Sequence, residues 1–181
     1  MPTKDKVTDN QSEKTAKEKS FDYRLQTLTF EMQYIERSID KMDGITQTIK
    51  YWAILIWTGS VGFVLGQQSL RQYAIVISAI PILFWIIDAR WRYWLGHLIY
   101  RQARISEFIN SDALQQAFEK QSFSGFTIFD PMGTVYKKTP EFKKRRNFLR
   151  SLKSTEVLLF YAGMLIISIS IGIFFILNPV P

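Results

Sequence analysis

The residues with the greatest capacity for chemistry are cations. Lys137, Lys138, Lys143, Lys144, Arg145, Arg146, Arg150 and Lys153 crowd into one stretch, with Phe142, Phe148, Leu149 and Leu152 interleaved. Ammonium and guanidinium groups at this density hold phosphate oxygens. Beside a bilayer, each contributes about 1 kcal/mol of attraction to anionic headgroups. Lys143, Lys144, Arg145, Arg146, Arg150 and Lys153 are therefore the candidate anion-binding residues, with membrane lipid headgroups as the expected ligand. A phosphate-bearing ligand such as a signalling nucleotide is the alternative. Nucleic acid is not the expected partner, and no Walker A or dinucleotide glycine pattern is present.

Other chemistries are thinly supplied. The chain has 0 cysteines and 1 histidine, which removes thiol nucleophiles, disulfides and thiolate metal sites. That histidine, His97, reads as an ordinary polar residue at an interface. No spacing pairs the Asp and Glu residues for general acid–base work, so neither an enzyme nor a cofactor is expected. Asp88 stands four residues before Arg92 on a helical pattern, which reads as an ion pair or, alternatively, as a charge ring at a pore mouth. Pro81 interrupts an apolar block and predicts a kink or a gating hinge.

The elements that carry these residues are three apolar blocks at 51–67, 73–89 and 157–177. The third matches the roughly 20 residues needed to cross a hydrocarbon core of about 30 Å. The first two sit at the short end of that range and are joined only by residues 68–72, so they predict a tight hairpin of spans. The cations have a side. Counting Lys and Arg, residues 1–50 carry nine, residues 89–155 carry thirteen, and the hairpin turn carries only Arg71. By the positive-inside rule this predicts a multi-pass protein of the cytoplasmic (inner) membrane, with its N-terminus and central segment inside and its C-terminus outside. No charged, cleavable leader opens the chain, so no removable signal peptide is expected.

Between the blocks the polar segments are patterned. Residues 1–20 lack large apolar side chains beyond Met1 and Val7 and predict a disordered tail. Over 21–50, Leu25, Leu28, Met32, Ile35, Ile39 and Met42 recur at steps of three and four. This is a coiled-coil-like seam, formed either with another helix of the same chain or between subunits. After the second block, Trp94, Leu95, Leu98, Ile105 and Phe108 keep helical spacing, with Arg90, Arg92, Arg101 and Arg104 between them. Ser111 offers an N-cap for a short helix reaching Lys120. Residues 126–136 place β-favouring side chains around Asp130-Pro131-Met132-Gly133, which predicts a small β-hairpin insert. Thr139 and Pro140 then open a basic helix over 140–153 that should run on into the third span.

Small residues mark helix faces. Gly59, Gly62 and Gly66 lie on the first span, Ala74 and Ser78 on the second, Ser168 and Gly172 on the third. Such faces let helices approach closely in lipid, within one subunit or between subunits. The fold class expected is all-α, integral to a membrane, with three transmembrane helices, a cytoplasmic helical stalk and the hairpin insert.

The order of seam helix, close two-span hairpin and amphipathic cytoplasmic helix, over about residues 21–110, resembles the SLATT-type two-span membrane proteins of bacterial conflict systems. The resemblance implies a membrane effector or pore triggered by a nucleotide-sensing partner. The third span and the 126–136 insert lie outside it, and no functional residue transfers. Together these readings lead to the expectation of a homo-oligomeric membrane effector or channel-like assembly controlled from the cytoplasm. The alternative is a membrane-anchored scaffold that binds a cytoplasmic protein partner without forming a pore.

Overall fold

In the computed structural model the backbone is described over residues 4–145 and 148–178, and side chains over 15–143 and 148–178. Its helices are α1 (Lys4–Gly66), α2 (Ala79–Ile109), α3 (Asp112–Lys120), α4 (Pro140–Arg145), α5 (Phe148–Leu152) and α6 (Thr155–Leu177). Two 3-10 segments, Gln68–Ser78 and Thr134–Tyr136, complete the order. Three of these helical stretches are long and apolar enough to cross a membrane. Their outer faces are bare: only 6%, 17% and 28% of the most apolar window in each is buried.

The expected irregular tail gives way to helix from Lys4 onward. Its Lys, Glu, Gln and Ala residues are good helix formers, and no glycine or proline interrupts residues 4–20. Among the described residues there is no strand, so the β-hairpin insert is not formed. The turn at its centre exists, with the Gly133 N–H donating to the Asp130 carbonyl at 2.8 Å. Gly133 supplies the positive φ of 59° at which a side chain is strained. The basic segment also differs from one continuous helix: α5 stops at Leu152, and Ser154, extended at ψ 131°, precedes α6.

A 3-10 helix of 11 residues, Gln68–Ser78, long for a form usually confined to a few, takes in the 68–72 connection and the start of the second apolar block. At about 2 Å rise per residue it covers about 22 Å, where an α-helix of the same length would cover about 16 Å. Pro81, a candidate kink or hinge, lies in the first turn of α2, where a missing N–H is tolerated, three residues after the 3-10 segment ends at Ser78.

The chain divides into two compact units, Met1–Ile39 with His97–Phe142, and Asp40–Gly96 with Lys143–Pro181. In the first, Phe21, Leu28 and Ile35 of α1 are buried, as are Leu98, Ile105 and Phe108 of α2. Aromatic contacts extend this core: Phe21 lies 5.3 Å from Phe118 and 5.1 Å from Phe123, and Phe108 stacks on Phe126 at 4.2 Å. In the second, Ala53, Val157, Tyr161 and Met164 form the core, with Trp57, Phe84, Trp85 and Phe160 packed on it. Trp57 donates to the Ser168 hydroxyl at 2.7 Å, and Trp85 donates to the Leu152 carbonyl at 3.0 Å.

Candidate functional site

Two polar constellations stand out, one in each unit. In the first unit the buried stripe of α1 reads Leu28, Glu31, Ile35, and that of α2 reads Leu98, Arg101, Ile105. The spacing is the same on both helices, three residues then four, with a charge of opposite sign between two aliphatics. Both charged side chains are 0% exposed. The guanidinium grips the carboxylate at two points, Nε to Oε1 at 2.8 Å and Nη2 to Oε2 at 3.0 Å. Two-point pairing is the geometry that compensates best for burying both charges.

The remaining valences of the pair hold the 126–136 segment. Arg101 donates to the Thr127 carbonyl at 2.6 Å and to the Tyr136 hydroxyl at 3.2 Å, and its guanidinium lies 4.8 Å from the Phe126 ring. Glu31 accepts from the N–H of Phe129 at 2.7 Å and from that of Asp130 at 2.8 Å. These bonds explain why no hairpin forms: the backbone groups that would ladder across two strands are taken by a helix carboxylate and a guanidinium. Phe129 is held at φ 62°, in the left-handed region that an aromatic residue rarely adopts. Its ring is half exposed and stacks on the exposed Phe30 at 6.3 Å.

Asp130 closes the other end of the segment. Its carboxylate accepts from the Thr134 N–H at 2.8 Å, the Thr134 hydroxyl at 2.7 Å and the Val135 N–H at 3.0 Å. Burial alone would raise its pKa. The donors from Val135 and Thr134, and the positive charge of Arg101, outweigh that and hold it below the usual carboxylate value.

In the second unit, Arg92 donates to Glu156 of α6 at 3.0 Å and stands 3.8 Å from Asp88 on its own helix. The Asp88 side chain is 0% exposed. Neither of its oxygens forms a hydrogen bond, and the Arg92 Nε and the buried Tyr161 hydroxyl are likewise without one.

The candidate residues distribute unevenly. Leu28 and Ile35 are buried, and Leu25, Met32, Ile39 and Met42 are half-buried. Gly172 of α6 meets the 3-10 segment so closely that an added Cβ would lie 2.8 Å from the Ile75 Cα. Ser168 bonds Trp57, Ala74 is buried, and Ser78 donates to its own turn at Ile75. Gly59, Gly62 and Gly66 are different: an added Cβ at any of them meets nothing within 4 Å. Pro81 and Asp88 are buried. Lys143, Arg150 and Lys153 are exposed, the last two beside a shallow groove of about 480 Å³ with Leu149, Ser154 and Thr155. The side chains of Lys144, Arg145 and Arg146 lie outside the described residues.

Two expectations are corrected. His97 is buried, with its ring 5.6 Å from that of Phe142, because its position falls on the inner face of α2. Arg101 is not an intervening surface cation but the centre of the first constellation. Glu31 and Tyr136 join it as its side-chain partners. The matched spacing around Glu31 and Arg101 is the signal that finds the pair in the sequence. Among the described residues, no three His, Cys, Asp or Glu side chains converge to hold a metal. The first constellation has no open nucleophile; what it does is fasten a loop to two helices. Compared with protein-family models, curated proteins and solved structures, the chain matches none.

Proposed function

We propose that this chain is a three-span protein of the cytoplasmic membrane that self-associates into an effector or channel-like assembly controlled from its cytoplasmic unit. The N-terminus and residues 90–153 lie inside and the C-terminus outside. The bare apolar faces of the three long helices support embedding, since soluble chains rarely expose continuous apolar surface on this scale. Self-association rests on one contrast. The small-residue face of α6 is used within the chain, at Gly172 and Ser168, whereas the face built by Gly59, Gly62 and Gly66 touches nothing. Close-approach faces of this kind serve helix pairing in lipid. The seam at Leu25, Leu28, Met32, Ile35, Ile39 and Met42 serves the subunit's own packing at Leu28 and Ile35. It is therefore a weaker candidate for the oligomer contact.

Control from inside is supported by the Glu31–Arg101 pair, a fastening that a ligand or partner could release. The test is ion or dye flux from liposomes containing the full chain. Flux that depends on protein density, and that Gly62→Leu abolishes, supports the assembly; membranes left tight at every density reject the channel-like form.

The scaffold reading has its own support in the aromatic face of the first unit. Exposed Tyr23, Phe30 and Phe129, with Gln26 and Thr27, line an open groove of about 570 Å³ suited to a protein partner. Stoichiometric recovery of a soluble protein from native membranes, lost on Phe30→Ser, together with absence of flux, would favour it.

A further inference from the structure

A carboxyl buried without hydrogen bonds is expensive as an anion, and a carboxyl beside a guanidinium is expensive as a neutral acid. Asp88 is in both situations. Its oxygens are sealed and meet no donor at good hydrogen-bonding geometry, although the Tyr161 hydroxyl stands beside them, and the nearest cationic atom, Arg92 Nε, is 3.8 Å away, too far for a hydrogen bond. Arg92 meanwhile has a closer carboxylate, Glu156 of α6, at 3.0 Å. The groups that act on Asp88 come from each element around it: Arg92 on its own helix, Lys50 of α1, and Tyr161 and Glu156 of α6. Two carboxylates and two cations balance when Asp88 is ionised; adding a proton leaves one positive charge in excess.

We propose that the Asp88 carboxyl is a reversible proton-binding site and that its occupancy decides whether Arg92 is shared with Asp88 or belongs to Glu156 alone. The proton comes from water and returns to it, binding one carboxyl oxygen with no other bond made or broken. With Asp88 ionised, Arg92 and the Tyr161 hydroxyl turn toward it and draw α6 against α2. With Asp88 protonated, Arg92 has one carboxylate partner, near the start of α6, and the Tyr161 hydroxyl stays beside the neutral carboxyl. Ionisable side chains within apolar helices commonly serve proton or ion handling. The inference uses contacts of one subunit only and stands whether or not subunits associate.

The test is infrared difference spectroscopy of the full chain in lipid nanodiscs during a pH titration. A protonated-carboxyl band is expected that Asp88→Asn removes, that Tyr161→Phe shifts in frequency, and that survives in Glu156→Gln. Because the chain has 0 cysteines, spin labels on Ile86→Cys and Leu159→Cys, both exposed, report the α2–α6 separation. That distance should change with pH in the parent and stay fixed in Asp88→Asn. A band that survives Asp88→Asn, or no titrating band over the range in which the protein stays folded, overturns the proposal. If Asp88→Asn does not fold, the Tyr161→Phe shift decides: an unmoved band overturns it.

Discussion

Arg101 and Glu31 are joined by two hydrogen bonds, 2.8 Å and 3.0 Å long, between side chains that no solvent reaches. Each also bonds the 126–136 segment, so the pair is both a helix-to-helix bond and the anchor of a loop.

Removing one partner leaves the other charged and alone. Arg101→Met should therefore cost about 3–5 kcal/mol, the usual penalty for breaking a buried pair from one side. The double variant with Glu31→Met should recover only part of this, because the N–H groups of Phe129 and Asp130 would still lack their acceptor. Unfolding of the full chain in detergent gives the energies. Hydrogen exchange should show the Phe129 and Asp130 amides losing protection first. Full recovery in the double variant would mean that the loop bonds contribute nothing.

The conformation of Phe129 makes a separate forecast. At φ 62° a side chain costs about 1–2 kcal/mol relative to glycine. Phe129→Gly should therefore be about 1 kcal/mol more stable than Phe129→Ala, the reverse of their order in a helix. Equal stabilities would show that the strained backbone relaxes on substitution.

Asp130 predicts an acid limb. Its folded-state pKa lies below the unfolded value, which is about 3.9. Its contribution is complete above that value and is lost as pH falls through the lower folded value. The parent should be more stable than Asp130→Asn at neutral pH, and the two should converge in acid below about pH 3.9. A stability gap that stays constant as pH falls well below about 3.9 would contradict the assignment.

The glycines should separate by position. Gly172→Ala drives a methyl into the Ile75 backbone and should destabilise the subunit by about 1–3 kcal/mol, the range for overpacking. Gly62→Ala meets open space within the subunit and should cost it nothing, or raise its stability by up to about 1 kcal/mol through the helix preference of Ala over Gly. Equal losses at both sites would mean that Gly62 is packed as Gly172 is.

What was legible in the sequence follows the physics of each feature. Three apolar blocks announce themselves by length and composition, and the Ser111 cap is a local pattern: its hydroxyl does accept from the Ala113 N–H, at 3.3 Å. The β-hairpin pattern misleads because Phe126, Ile128 and Val135 favour strands locally. The groups that claim its backbone, Glu31 and Arg101, lie far away in sequence, and propensity cannot see them. The 3-10 run at Gln68–Ser78 is hidden because an apolar block reads alike in either helix form. Glu31 and Arg101 sit on amphipathic helices, where charge normally marks the solvated face. Only the match between the two spacings marks them as partners.

The central claim is that subunits associate in the membrane through the Gly59–Gly62–Gly66 face. Single-molecule photobleaching of the fluorescently tagged full chain in lipid bilayers, at dilutions where chance coincidence is negligible, tests it directly. The account predicts multi-step bleaching for the parent and single-step bleaching for Gly62→Leu, with the subunit's helix content unchanged. Single-step bleaching of the parent, or multi-step bleaching that Gly62→Leu leaves intact, would contradict it.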